Sequence, residues 1–291
     1  MSTDNTLILT NDNYYSSAAN TTYMSVSQFK DFAGTIAHVS CEETALKKFK
    51  NEIIPTKTDS LLIGSYVDSY FEGTLDTFKT ENPEIFKKTG DKGLRAEFVK
   101  ADKIIDRRNK DPLFSDFMSG QKQVIMTADL FGIPWKIKMD SYHPDDKIVD
   151  LKVMKDMNPI WAPLLGRKTT FINYWGYDIQ GAIYQKVVEL NTGKRLPFYI
   201  CCATKEDVPD IDIFEIPQEY LDIAYEFVKD NIEHVLNIKN GVIPAKRCNN
   251  CVYCRSTKVL TQPTSLTDLM LMQNLIQSDD SSSGPIGLFD D

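Results

Sequence analysis

Between Trp135 and Lys155 the chain reads WKIKMDSYHPDDKIVDLKVMK, and no other stretch limits the fold as strongly. Ile137 and Met139 alternate with Lys136, Lys138 and Asp140, the period of a half-buried strand. His143-Pro144-Asp145-Asp146 is turn chemistry, because proline presets one backbone angle and aspartate can bond its own backbone. Ile148 to Val153 then reads as a second, mostly apolar strand. A further strand over Gln123 to Phe131 enters through Gly132-Ile133-Pro134, so the three strands form a meander. Strands first in a meander, then helix, strand and helix further on, read as a sheet flanked by helices.

The same stretch carries three ionisable groups. Asp150 and Lys152 are two apart on a strand, so they point to one face, roughly 7 Å apart along it. Asp140 ends the preceding strand and can meet Asp150 from the side if the two strands pair. Two carboxylates converging at a strand edge suit a hard cation such as Mg2+, which takes one or two carboxylates plus phosphate oxygens. A lysine beside that ion can stabilise developing phosphate charge or help activate water. An ordinary surface hairpin with an Asp/Lys pair looks the same in isolation, so the rest of the chain has to decide.

The length of 291 residues suits one large domain, or one domain with appendages. No run of about 18 apolar residues is present, and the N-terminus lacks a basic start and a long apolar core. The expectation is a cytoplasmic protein with no membrane span. The net charge of -8 argues against a basic coat for nonspecific nucleic-acid binding, though not against a local basic groove. The six cysteines of a cytosolic chain are more often free, metal-bound or catalytic than disulfide-linked.

Taken in order, residues 1–22 are polar and expected to be flexible, with structure beginning near Tyr23. Ser25 or Ser27 caps a first helix, and Ser40 with Glu43 has capping-box spacing, which puts Cys41 in a first helical turn. Asp59 to Gly73 is a helix with an apolar face of Leu61, Leu62, Tyr66, Val67, Tyr70 and Phe71, on which Asp68 and Glu72 are surface neighbours. A polar helix over Leu94 to Arg108 ends in Asp106-Arg107-Arg108-Asn109-Lys110, read as a solvated end rather than a phosphate contact. Pro159 to Tyr177 reads as a loop with room for a short helix, and its aromatics with Arg167 and Lys168 suit either a satellite core or a nucleic-acid channel.

Tyr177 to Leu190 is an amphipathic helix with a buried stripe of Ile179, Ile183, Val187 and Leu190. Pro197 to Ala203 is a buried strand with Cys201 and Cys202 in the core, and Ile216 to Asn240 is a long helix. Tyr220, Ile223, Ala224, Phe227, Val228 and Val235 supply the apolar face of that helix. Cys248, Cys251 and Cys254 then stand at two-residue gaps, a spacing that lets several sulfurs reach one metal centre. A short helix around Leu266 to Ile276 precedes an acidic tail tipped with Leu288 and Phe289.

The order Asp140, nine residues, Asp150-Leu151-Lys152 resembles the PD-(D/E)XK nuclease motif, with Met139 where proline often precedes the first acid. Gly64-x-x-x-Asp68 resembles the Gly-x-x-x-His element of RecB-type nucleases, with aspartate in place of histidine. Gln180-x-x-x-Tyr184 resembles the helix element that follows the lysine in RecB- and RecE-type nucleases. The whole, over roughly residues 23–258, is similar to the phage and prophage RecE-like (exonuclease VIII-like) branch. The resemblance implies an α/β (α+β mixed), restriction-endonuclease-like core: a mixed central sheet flanked by helices.

It also implies a Mg2+- or Mn2+-dependent DNA exonuclease that resects 5'-to-3' for recombination. Asp140 and Asp150 hold the metal, Asp68 and the Leu151 carbonyl assist, and Lys152 orients or activates the attacking water. Gln180 and Tyr184 position DNA and the lysine region. A single-strand annealing protein and a homo-oligomer are the implied partners. Cys41 with Cys248, Cys251 and Cys254 resembles the early-plus-late cysteine staple of AddB-type iron-sulfur nucleases, which holds a [4Fe-4S] cluster, although the last gap is shorter here. A structural Zn2+ on the same four sulfurs remains open. The expected layout is a flexible 1–22, a nuclease domain over 23–258 closed by the cysteines, and a helix with an acidic tail over 259–291. The alternatives are a DNA-binding or recombination scaffold of this fold without catalysis, and a metal-stapled interaction module, which leaves the ordered acids unexplained.

Overall fold

The computed structural model describes residues 7–53, 57–90 and 92–272. It divides into two compact units, Met1–Cys248 and Asn249–Asp291. The strands of the larger unit are β1 (Val124–Leu130), β2 (Ile133–Met139), β3 (Ser141–His143), β4 (Lys147–Met154), β5 (Ile160–Ala162), β6 (Arg167–Thr169), β7 (Phe198–Thr204) and β8 (Ile211–Glu215). The central sheet has the order β3-β4-β7-β8, with β1-β2 and β5-β6 as separate pairs. Neighbours β4 and β7 run parallel, Asp150 beside Ile200 and Lys152 beside Cys202, while β3-β4 and β7-β8 are antiparallel. Parallel neighbours need a long crossover, and the helix Tyr177–Thr192 supplies it. Its Gly181 lies where a Cβ would come within 2.6 Å of Phe198 and 2.8 Å of Leu221, so glycine is what permits this packing. The result is the expected mixed α/β core.

The expected meander is broken at Asp140. β1 and β2 pair antiparallel, but β2 does not continue into the central sheet; β3 does, across the turn to β4. The physical reason is the aspartate itself: its Oδ2 accepts the Leu151 amide at 2.8 Å, so a side chain takes a bond that a ladder would otherwise make. The turn is tight, with Asp146 N–H donating to the His143 carbonyl and Asp145 in the left-handed region at φ 69°.

The N-terminal segment also differs from expectation. Over the described residues 7–22 it is packed, with Tyr14 and Ala19 buried and Ser16 capping a helix Ser17–Thr22. Polar composition conceals these anchors. Lys136, expected on the wet face of its strand, is 1 % exposed beneath this segment. Its ammonium donates to the Asn20 side chain at 2.8 Å and to the Tyr14 carbonyl.

Smaller corrections follow from burial. Ser40 donates to the Asp31 carbonyl instead of capping, and Cys41 is the N-cap of the helix Glu42–Phe49. Leu61, Tyr70, Leu190, Tyr220 and Ile223, read as core-facing, are exposed. On the long helix Gln218–Lys239 the buried stripe is Leu221, Ala224, Val228, Ile232, Val235 and Ile238. A wide apolar helical face leaves its outer rows in solvent. The stretch 159–177 holds a short helix, Phe171–Trp175, as its reading allowed, and also the β5-β6 hairpin, which it did not; the edge strand β8 was not expected at all. Cys201 and Cys202 are fully buried on β7.

In the smaller unit Cys251 caps the short helix Val252–Ser256, its Sγ accepting the Cys254 amide at 3.3 Å. A helix Leu266–Met272 follows. The rest of the expected helix and acidic tail, from 273 onward, lies outside the described residues. No described helix is long and apolar enough to cross a membrane.

Candidate active site

Asp140 stands between β2 and β3. One step beyond the β3-β4 register, where Ser141 faces Val149, sets it against Asp150 on β4. Besides the Leu151 amide, Asp140 accepts from Gln123 Nε2 at 3.2 Å. Asp150 is 3 % exposed. Its Oδ1 accepts from Gln180 Nε2 at 2.6 Å, and its Oδ2 lies 2.5 Å from Lys152 Nζ. That ammonium is also 5.0 Å from the centroid of the Tyr177 ring. One helical turn past Gln180, the Tyr184 hydroxyl donates to the Lys138 carbonyl of β2 at 3.0 Å. The helix Tyr177–Thr192 therefore touches β4 at Asp150 and the end of β2 just before Asp140, through residues four apart.

Asp68 comes from the helix Asp59–Glu72. Its Oδ1 is buried and has no hydrogen-bond partner among the described residues. Burial pushes its carboxyl up to about 7, against the pull of Arg108 and Lys152. Burial, then the charges of Asp150 and Asp68, hold the Asp140 carboxyl well above the ordinary carboxylate range, although Lys152 and the Leu151 amide oppose this. Burial alone would lower Lys152, but Asp150, Tyr177 and Asp140 keep its affinity for a proton above that of a free lysine. Three carboxylates in one place, with the buried Asp68 Oδ1 lacking a hydrogen bond and Asp150 Oδ2 met only by the Lys152 ion pair, form a donor set of hard oxygens that fits a divalent cation. The structure thus brings Asp68, Asp140, Asp150, Lys152 and Gln180 together, with Tyr184 fixing the strand beside them.

Other residues join the site that sequence reasoning passed over. Arg108, read as a solvated helix end, is fully buried, with its guanidinium 5.1 and 5.0 Å from the Phe71 and Phe114 ring centroids. Burial pulls it down to about 10 while Asp68 opposes. It continues the buried row Ala101, Ile104, Ile105 of its helix, a periodicity that could have revealed it. Lys30, on the helix Val26–Ala33, donates to the Trp175 carbonyl at 2.8 Å, and burial followed by the charge of Lys152 lowers it to about 8. Two openings serve the site. A cleft of about 290 Å³ is lined by Tyr15, Asp68, Glu72, Gln123, Lys138 and Asp140. A second, of about 240 Å³, is lined by Tyr15, Lys30, Lys138, Lys152, Tyr177 and Gln180 among others.

Within the larger unit Glu43 N–H donates to the Lys246 carbonyl at 3.1 Å, and Glu42 Oε2 accepts from the Lys246 amide at 2.7 Å. These bonds hold the start of the Cys41-capped helix to the chain just before Cys248. Cys41 and Cys248 belong to the larger unit and Cys251 and Cys254 to the smaller, and all four are thiols of the kind that can hold a metal ion. Four sulfurs suit zinc or an iron-sulfur cluster.

Residues 25–257 match a family described as a PDDEXK-like domain of unknown function (DUF3799). The fold is similar to the crystal structure of a presumed exonuclease from Eubacterium rectale, at 50% sequence identity and a TM-score of 0.86. That match covers 90% of this chain and 98% of the other. No curated protein matches the chain.

Proposed function

The chain belongs to the PDDEXK-like family that its residues 25–257 match, and from that premise we propose that it is a divalent-metal-dependent DNA exonuclease. The observation that supports this most is the meeting of Asp140, Asp150 and Lys152 at one strand edge, with Gln180 fixing the second acid. In this reading Asp140 and Asp150 hold Mg2+ or Mn2+, with Asp68 and the Leu151 carbonyl as further oxygens. The bound cation supplies Lewis-acid stabilisation of phosphoryl charge and makes water more acidic.

The chain's own groups do the rest. Lys152, kept protonated by Asp150 and Asp140, places a fixed positive charge beside the scissile phosphate and orients the attacking water. Gln180 holds the Asp150 carboxylate in one rotamer, so little reorganisation accompanies the reaction. Tyr184 anchors β2 at Lys138 and with it the position of Asp140. Water attacks phosphorus, the bridging P–O bond breaks, and the departing oxygen takes up a proton.

The RecE-like part of the reading is 5'-to-3' resection of DNA ends beside a single-strand annealing protein, in a homo-oligomer. At the cysteines we propose a structural metal, either a [4Fe-4S] cluster or Zn2+; metal analysis after anaerobic purification separates a brown iron protein from a colourless zinc one. A duplex labelled at its 5' or 3' ends and incubated with Mg2+ tests the activity. The expected result is degradation from 5' ends by wild type and none by Lys152→Ala. Intact DNA with wild type, or full activity in the variant, rejects the reading.

A further inference from the structure

The acids, Lys152, Gln180 and Tyr184 lie between Asp68 and Tyr184, and Lys30 adjoins them, yet the segment before Tyr23 reaches the same place. Tyr14 and Tyr15 are adjacent there and differ sharply: Tyr14 is 5% exposed and Tyr15 72%. Their rings meet edge-on, centroids 5.0 Å apart at 85°, so the buried ring steadies the exposed one. The Lys138 ammonium lies 4.7 Å from the Tyr15 ring centroid. A single exposed aromatic needs no explanation by itself. What sets Tyr15 apart is its position. It lines the acidic cleft with Asp68 and Asp140, and the lysine cleft with Lys152 and Gln180. It also lines a third cavity of about 230 Å³ with Gln28 and Lys48. Its hydroxyl lies in the field of Asp140, Glu72 and Asp68. The ring therefore stands where the carboxylate side and the lysine side of the site meet.

We infer that Tyr15 is a stacking platform for an unpaired nucleobase adjoining the scissile phosphate. This rests on the nuclease reading above. Every base has a π face, so a tyrosine grips any sequence, while nearby ammonium groups take the backbone phosphates. Lys138, Lys152 and Lys30 are placed for that second task in the same opening. A base inside a duplex has both faces covered by its neighbours. The platform thus takes a base from a strand end, single-stranded or frayed, and not from the interior of a duplex. Tyr15 is a specificity-determining contact and takes no part in bond breaking.

The test is the affinity of the full chain for a set of short single-stranded oligonucleotides, each with one abasic nucleotide, read by fluorescence anisotropy with Ca2+ in place of Mg2+. Wild type is expected to lose about tenfold at one position of the set. In Tyr15→Ala that position-specific loss disappears, and Tyr15→Phe and Tyr15→Trp restore it. A merely structural role weakens all oligonucleotides alike and leaves the abasic loss in place. Persistence of the loss in Tyr15→Ala, or its absence from wild type at every position, overturns the inference. Failure of the nuclease reading registers separately, as absence of wild-type cleavage of a labelled duplex in Mg2+.

Discussion

A carboxylate as enclosed as Asp150 needs both oxygens held before it can serve a cation, and Gln180 and Lys152 each hold one. Partners that orient a ligand are commonly worth about 10- to 100-fold in metal affinity or activity. Gln180→Ala should therefore lower Mn2+ affinity and turnover by factors in that range, with little change in melting temperature. Calorimetric titration and single-turnover cleavage measure the two; wild-type values for both would leave Gln180 without a positioning role. The roles differ in how readable they were. Asp150 and Lys152 were legible because two residues apart on a strand share a face. Gln180 was legible only through its resemblance to a family element, since glutamine on a helix carries no signal of its partner. Tyr15 was lost in a stretch whose Asn, Ser and Thr content spoke for flexibility.

Among the elements, β1, β2, β4, β7 and the helix Tyr177–Thr192 were readable because their apolar periods are long. β3 and β8 are short edge strands, formed because a neighbour offers a ladder, so their sequences say little by themselves. The packing of residues 7–22 over β2 is a tertiary effect of the same kind, and Lys136 records it. Burial, then the charge of Lys239, lowers the Lys136 ammonium to about 8. An unfolded lysine titrates near 10.4. Between about pH 8 and 10 the folded chain therefore binds fewer protons than the unfolded one, so this group makes stability rise with pH across that window. Below about 8 both states are protonated and the cost of burying the charge is full. Lys136→Met should flatten that rise, which urea melts at pH 7.5 and 9.5 would record. Lys30 and Lys239, lowered to about 8 as well, keep part of it in the variant. An unchanged slope would mean that the Lys136 ammonium is not the group that titrates.

At the scale of the whole molecule, the acids of the site work against the fold unless a cation joins them. Burial makes Asp140 and Asp68 costly to charge, and the charge of Asp150 on both and of Asp68 on Asp140 adds to that cost. A carboxyl held above its unfolded value keeps its proton longer in the folded chain. Its contribution is present at low pH and is lost as pH rises from about 4 through the raised folded value, so the metal-free protein weakens on the way to neutrality. Asp140→Asn removes one of the charges while an amide oxygen can still accept from the Leu151 N–H. The variant should melt a few degrees higher than wild type without metal at pH 7.5, because about 1 kcal/mol corresponds to roughly 2–4 °C for a domain of this size. It should cleave no DNA. Saturating Mg2+ should raise the wild-type melting temperature, since a ligand at about 100 times its Kd stabilises by about 2.7 kcal/mol, and leave the variant nearly unmoved. Melting curves with EDTA and with Mg2+ give all four values. A variant that melts lower than wild type in EDTA, yet still gains from Mg2+, would place the cation elsewhere and remove the conflict between charge and fold on which the active-site assignment depends.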